Sequence, residues 1–192
     1  MHSLHFLRHN LELHKSFSVA TWDNKLYIYQ IEAMVRTLGL DLQRIEQALL
    51  APAFSDAAQL QSQLDWYQNL LNEMQQRGLQ KEGHIEQVEE ILMELIYLHN
   101  TLLTILNDEK YKALCEQANE ALQAFKAKAN MVQKHDVDVL LHAMFMKLQL
   151  KMKKQEISPE TEAAFDLFRI QLAYLSKSYK RMKAGELNFI QN

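Results

Sequence analysis

Apolar residues recur along most of the chain at alternating spacings of three and four, the pattern of helices that pack against other helices. The pattern is clearest between about Lys81 and Leu106, where an apolar stripe repeats every seven residues and several glutamates lie off it. The stripe consists of Ile85, Val88, Leu92, Leu95, His99, Leu102 and Leu106. One face of this helix is therefore predicted to be buried and the opposite face to be acidic.

The same spacing predicts about seven helices in all. They are expected over residues of about 22–38, 41–52, 56–77, 81–106, 108–132, 137–152 and 159–184. The helix of residues 137–152 has so many apolar positions that two of its faces must be covered, which predicts a central position. Because the connections are short, we expect an all-α fold, a single antiparallel bundle of about six to seven helices.

This bundle is predicted to form one domain over residues 21–187. An irregular head of residues 1–20 precedes it and a short tail of residues 188–192 follows it. Glycine and proline are scarce, with 4 and 2 copies in 192 residues, too few for the turns of a sandwich, a barrel or a doubly wound sheet. We predict helix stops at Gly39, Gly78 and Gly185 and a helix start at Pro159, whereas the sequence does not explain Gly83.

The composition fits a soluble globular protein, with 48% hydrophobic and 23% charged residues. The single cysteine, Cys115, cannot form an intramolecular disulfide, which favours a reducing compartment. No segment is long and apolar enough for a membrane span, and the first residues lack the apolar run of a signal peptide. We therefore expect a cytoplasmic protein that does not contact a membrane.

Charge is distributed unevenly, although the net charge is only −3. Residues 41–107 contain 10 acidic and 3 basic side chains, whereas residues 147–183 contain 4 acidic and 9 basic side chains. The basic end is predicted either to meet an acidic partner or nucleic acid, or to face the acidic fourth helix within the molecule or across a dimer. Nucleic acid is the less favoured partner because the lysines lack interleaved exposed aromatic residues.

The residues of common active sites are missing from the sequence. Glu94 and His99 are five apart and so do not form the Glu-x-x-His pair of di-iron bundles. Cys115 lies within an apolar stripe, and neither a GxSxG sequence nor a glycine-rich phosphate loop is present. We therefore favour a protein that is not an enzyme, with no cofactor.

The head contains four histidines, and imidazoles spaced like these can bind zinc or nickel when they share one face of a helix. They are His2, His5, His9 and His14. No cysteine accompanies them, and Glu12 is the nearby carboxylate. We therefore predict no native metal site.

His99 stands out because it occupies a position in the apolar stripe, where a buried imidazole needs a hydrogen-bond partner. The simpler interpretation is a neutral core histidine bonded to a carbonyl, a tyrosine or a carboxylate of a neighbouring helix. The sequence leaves its neighbours open among Asp65, Tyr67, His142 and Tyr174. The alternative is a pocket for a small molecule between helices, lined by His99 with Tyr67, His142 and Tyr174.

A protein interface is predicted from aromatic side chains that lie near the core stripes but not on them. Trp66, Tyr97 and Tyr174 satisfy this condition. The interface candidates are Trp66, Tyr97, Lys153, Lys154, Lys180 and Arg181. The favoured function is thus a module for homo-oligomerisation or for binding a protein partner, ahead of the small-molecule pocket and of weak nucleic-acid binding by the basic C-terminal helices.

Three stretches of the sequence resemble a known family. They are LYIYQIEAMVRTLGLDLQRIEQ from Leu26, a middle stretch from Leu64 to Leu103, and a C-terminal stretch from Lys153 to Leu187 that contains EISPETE. Over about residues 22–187 the chain resembles a bacterial family of uncharacterised all-helical proteins, a domain of unknown function. The resemblance implies an all-α fold and a cytoplasmic bacterial setting, and it implies no activity, ligand or catalytic residue.

Overall fold

The computed structural model describes residues 22–187, and every regular element in that range is helical. The elements are α1 (Trp22–Thr37), α2 (Leu42–Ile45), α3 (Ala57–Gln76), α4 (Glu86–Thr104), α5 (Glu109–Lys128), α6 (Asp136–Met152) and α7 (Pro159–Lys183). A π-helical turn, Glu46–Leu50, continues α2. The prediction of an all-α fold with seven helices is confirmed for the described residues, whereas the histidine-containing head and the tail lie outside them.

The helix ends follow the signals in the sequence. The side chains of Asp41, Asp56 and Ser158 each accept a hydrogen bond from a backbone N–H in the first turn of the helix that follows. Gly39, Gly78 and Gly185 all have a positive φ, near 72°, which is the left-handed conformation that terminates a helix. Local capping chemistry therefore places most of these ends correctly.

Two predicted helices were too long. The fourth begins at Glu86 rather than Lys81, because Gly83 has a φ of 86° and breaks the helical path before it. The fifth ends at Lys128 rather than near Val132, because Asn130 adopts a left-handed φ of 56°. Left-handed residues end a helix even where the apolar pattern continues.

The chain divides into two compact units, Met1–Glu90 and Ile91–Asn192. In the first unit, α2 and the π-helical turn pack against α3. Glu32 of α1 is fully buried, and its carboxylate accepts a hydrogen bond from the Ile85 N–H at 2.7 Å and lies 2.6 Å from His84 Nδ1. Arg36 of α1 donates to the carbonyl oxygens of Leu79, at 2.9 Å, and of Gly83. Two α1 side chains thus hold the loop that leads into α4.

In the second unit, α5, α6 and α7 pack against one another. Val137, Val139, Leu140 and Ala143 of α6 are completely buried, and their neighbours Asp138 and Leu141 are nearly so. Burial on more than one face agrees with the prediction for this helix. The single domain expected over residues 21–187 stays a prediction.

None of the helices in the described range is both long and apolar enough to cross a membrane.

Candidate functional site

A buried polar cluster lies in the second unit around His99; we call His99, Tyr111, Cys115, His135 and Gln171 the His99 cluster. His99 of α4 and Tyr111 of α5 are 5% and 0% exposed. The His99 Nδ1 atom lies 2.8 Å from the Tyr111 hydroxyl oxygen, and the two rings meet edge to face. The buried imidazole therefore has a tyrosine partner on a neighbouring helix, one of the three kinds of partner that the simpler interpretation left open.

The second imidazole of the His99 cluster is that of His135. It is the N-cap of α6, and its Nδ1 accepts a hydrogen bond from the Val137 N–H at 3.2 Å. Its ring lies edge-on to that of His99, with 5.2 Å between the centroids. Because Nδ1 acts as an acceptor, the proton of neutral His135 is on Nε2.

Asp108 and Tyr174 support Tyr111 from outside the cluster. The Asp108 carboxylate caps α5 by accepting the Tyr111 N–H at 3.0 Å, and it accepts the Tyr174 hydroxyl at 2.7 Å. The Tyr174 ring stacks on that of Tyr111, with 5.6 Å between the centroids. One carboxylate thus ties the start of α5 to α7 beside the cluster.

Cys115 and Gln171 complete the His99 cluster. The Gln171 Nε2 donates a hydrogen bond to the Cys115 sulfur at 3.2 Å. Gln171 is 1% exposed, and its Oε1 has no hydrogen-bond partner in the structure. Cys115, which the sequence placed within an apolar stripe, is half-buried.

Burial keeps the groups of the His99 cluster uncharged. It lowers the pKa of His99 to about 4, an effect that His135 reinforces and Asp136 opposes. It also lowers the pKa of His135, raises that of Tyr111, and raises that of Cys115 to about 11. A thiol with such a pKa is a poor nucleophile. At neutral pH the cluster is therefore a neutral hydrogen-bond network.

A groove of about 600 Å³ runs between α5, α6 and α7 of the second unit. Phe125, Phe165 and Phe168 meet edge to face along it, and His142 lies against Phe125. Its wall also includes Ala121, Ala124, Met146, Leu150 and Ala164, and its charged residues are Glu120, Lys128 and Glu160. The volume lies in the range of small-molecule sites, which are mostly apolar with a few polar groups.

The third feature is the exposed side of α4, which we call the outer face. It is formed by Glu86, Glu90, Met93, Tyr97, Asn100 and Thr104, all exposed. Met93 is 70% and Tyr97 58% exposed, one helical turn apart. The prediction that this side is acidic therefore holds for its N-terminal part, which contains Glu86 and Glu90. The middle of the outer face, with Met93 and Tyr97, is apolar.

The four predicted ligand-binding residues lie in different surroundings. His99 belongs to the His99 cluster, and Tyr174 adjoins it through Tyr111. His142 lines the groove instead. Tyr67 belongs to the first unit, where it is buried with its ring edge-on to Trp66 at 4.9 Å. The hydrogen-bond partner of His99 is Tyr111, which was absent from the neighbours that the sequence suggested.

The predicted interface residues are mostly exposed. Tyr97 lies on the outer face of α4, and Trp66 is half-buried in α3. Lys153 and Lys154 are exposed after α6, and Lys180 and Arg181 are exposed on α7.

Part of the basic end meets the acidic helix within the second unit, one of the alternatives that the sequence left open. Lys183 Nζ lies 2.6 Å from Glu94 Oε1, and the Tyr179 hydroxyl donates to the same carboxylate. Lys147, by contrast, lies 2.7 Å from Glu162 of α7, a carboxylate of the basic end itself. Nucleic-acid binding by the remaining basic residues stays a prediction.

Sequence reasoning missed several of the residues described here. Tyr111 lies on the apolar stripe of its helix, so only its hydroxyl distinguished it from other core residues. His135 is the N-cap of α6, but histidine is not among the residues that typically signal a helix start, so the sequence carried no clear sign of its role. Met93 lies off the buried stripe one turn before Tyr97, a spacing that predicts a shared exposed face.

Within residues 22–187, no group of three or more histidine, cysteine, aspartate or glutamate side chains is arranged to hold a metal ion. His2, His5, His9 and His14 lie outside the described residues.

The fold and the site together define an all-α protein with a buried, uncharged polar network and an apolar patch on the exposed side of one helix. Over residues 19–186 the chain matches the family described as Domain of unknown function (DUF4924). This match covers most of the chain, so the protein belongs to that family. Neither a curated protein nor a solved structure matches the chain. The family description names no activity or partner.

Proposed function

We propose that the protein is a non-enzymatic module that associates with itself through the outer face of α4. The observation that supports this function is the exposure of Met93 and Tyr97, at 70% and 58%, on consecutive turns of one helix. Methionine and tyrosine are enriched in the cores of protein interfaces. Exposed apolar side chains that lie together, rather than singly, are typical of interaction sites.

The surroundings of these two side chains enlarge the apolar surface. Ile96 and Leu103 flank the outer face and are half-buried, and Ile105, directly after the helix, is 58% exposed. Burying one such side chain from a largely exposed state contributes about 1–2 kcal/mol, against which the cost of association must be set. A weak, concentration-dependent oligomer is therefore the expected form.

The state of the His99 cluster supports a role in binding rather than in chemistry. Its two histidines have lowered pKa values, and its thiol has a raised one. The proposal also places the protein in the cytoplasm, because its single cysteine suits a reducing compartment. The bacterial setting that the family resemblance implied remains an expectation.

Sedimentation equilibrium over a wide range of protein concentration tests the proposal. We expect the mass of the wild-type chain to rise above 22.5 kDa with concentration, and we expect Met93→Lys and Tyr97→Lys to remain monomeric. Val132→Lys is the matched control, because Val132 is 61% exposed but lies outside α4. A wild-type chain that stays monomeric throughout, or a control that dissociates like the α4 variants, would overturn the proposal.

The groove of the second unit favours a second candidate function, the binding of a small apolar molecule. Its volume of about 600 Å³ and its wall of aromatic side chains support this function. Native mass spectrometry of the chain purified without denaturant should then detect a retained ligand. Ala124→Phe, which narrows the groove, should lose that mass while Gln123→Phe, at the exposed neighbouring position, should keep it. If the wild-type chain and Gln123→Phe both show only the mass of the polypeptide, with no added ligand, this function is contradicted.

A further inference from the structure

We propose that the partner of the outer face of α4 is α4 of a second copy, running antiparallel, with the two-fold axis between Met93 and Tyr97. This inference rests on the proposed function and specifies its geometry. It excludes a parallel pair of α4 helices and a helix from a different protein.

The steps between successive outer-face residues are the same whether they are counted from the N-terminal or from the C-terminal end of α4. Its exposed positions, 86, 90, 93, 97, 100 and 104, alternate between steps of four and three, which is the spacing of a seam between two packed helices. When a second copy is reversed about a point midway between Met93 and Tyr97, every outer-face residue lies across from another one. Glu90 then faces Asn100 of the second copy, and Glu86 faces Thr104.

Charge distinguishes the antiparallel pair from the parallel one. A parallel pair places Glu86 and Glu90 directly across from their own copies, and like charges at such positions are unfavourable. The antiparallel pair places each carboxylate across from a neutral polar side chain. The neighbouring acids of α4 are already neutralised within the chain, since Glu89 lies 2.9 Å from Arg77 and Glu94 lies 2.6 Å from Lys183.

The apolar centre also fits this arrangement. The two-fold axis places Met93 of each copy against Tyr97 of the other, so the contact between a thioether and an aromatic ring occurs twice. Ile96, half-buried beside these residues, lies close to the axis and widens the centre. A contact made by one helix pair is smaller than a standard interface, so we expect association in the micromolar range or weaker.

Disulfide trapping tests the direction of the pair in the full chain. Cys115→Ser removes the native thiol, and Glu90→Cys and Asn100→Cys are made separately on that background with different tags. In the antiparallel pair, the two introduced thiols of a mixed sample lie across from each other, within the reach of a disulfide. Two copies of either variant alone hold their thiols about 15 Å apart along the helix axis, which is beyond that reach.

We expect mild oxidation to produce the mixed dimer and little of either homodimer. Homodimers formed by each variant alone would indicate a parallel pair and overturn the inference. Association that requires Met93 but yields no disulfide in any combination would overturn the inference and leave the proposed function standing. A chain that does not associate at any concentration would overturn the proposed function first.

Reversing charges provides an independent measurement. Asn100→Glu places a carboxylate across from Glu90 of the second copy and should weaken association at least tenfold. Adding Glu90→Lys to the same chain should restore association in the antiparallel pair, because each new lysine then faces a new glutamate. In a parallel pair the double variant would place like charges across from each other, so association that stays weak in this variant would contradict the inference.

Discussion

The imidazole of His99 should make the protein less stable as the pH is lowered. Burial lowers its pKa from 6.5 to about 4 in the folded chain, whereas in the unfolded chain the pKa keeps its ordinary value of about 6.5. Between these values the unfolded state binds more protons than the folded state, so the free energy of unfolding rises with pH. The contribution of neutral His99 is therefore fully present above about pH 6.5 and is lost as the pH falls toward 4.

The size of the effect follows from the two pKa values. Near pH 5 the imidazole of the unfolded chain is almost fully protonated and that of the folded chain is about a tenth protonated. This difference corresponds to a loss of roughly 2 kcal/mol relative to about pH 7.5. Since His99 is only 5% exposed, solvent screening reduces this figure little. His135, whose pKa burial also lowers, contributes a loss of the same sign.

Urea unfolding followed by circular dichroism at several pH values, on the wild-type chain and on His99→Leu, measures the effect. Other groups titrate in both proteins, so the difference between them isolates His99. We expect this difference to shift by roughly 2 kcal/mol in favour of the variant between about pH 7.5 and 5. Gln123→Leu, at an exposed position of α5, is the control and should follow the wild-type chain.

A difference between wild type and His99→Leu that is the same at every pH would refute the reasoning. It would mean that the folded chain binds a proton on His99 as readily as the unfolded chain does.

Three further substitutions test other contacts, each by urea unfolding at neutral pH. Tyr111→Phe should lower the free energy of unfolding by about 1–3 kcal/mol, because a ring nitrogen of His99 loses its partner in the core; a change within error would show that the hydrogen bond is absent. Glu32→Leu should cost a similar amount, about 1–3 kcal/mol, because the buried N–H of Ile85 loses its acceptor, and full stability in this variant would contradict that contact. Gly83→Ala should cost at least about 1 kcal/mol, because its φ is left-handed and its new methyl group would be crowded; unaltered stability would refute this reason.

A substitution at a second glycine, Gly78, separates the two reasons for the expected cost at Gly83, which are backbone strain and the crowding of the new methyl group. A Cβ atom at Gly83 would lie 2.8 Å from Leu79 Cδ2, whereas a Cβ at Gly78, whose φ is also left-handed, would contact nothing within 4 Å. Gly78→Ala therefore measures the backbone strain alone. We expect it to cost less than Gly83→Ala under the same conditions.

The positions of the helices were predictable because their ends depend on local chemistry. Asp56 and Ser158 cap the helices that follow them, and Gly39 ends the helix before it, through contacts within a few residues of the chain. Gly83 needs a glycine because of its left-handed φ, and the sequence did not explain it because the loop that imposes this φ is held by Arg36, which is distant in the chain and donates to the carbonyl oxygens of Leu79 and Gly83. Local patterns do not reveal such contacts.

The polar cluster was predictable only as far as His99 itself. Its place on an apolar stripe indicated burial and the need for a partner, but choosing Tyr111 requires knowledge of how α4 and α5 face each other. His135 and Gln171 contribute through the same tertiary arrangement. The sequence placed Tyr97 off the buried stripe, and its side chain is 58% exposed, because the helical period separates the two faces of α4.

Cys115 gives the chain a built-in reporter of local opening. Thiol reagents react with the thiolate, and burial raises the pKa of this thiol to about 11. Labelling should therefore be slow while the Gln171 amide donates its hydrogen bond to the half-buried sulfur, and faster in the molecules in which the two have separated. The labelling rate of the wild-type protein would then measure how often the hydrogen bond between Cys115 of α5 and Gln171 of α7 opens. No probe has to be introduced by mutation.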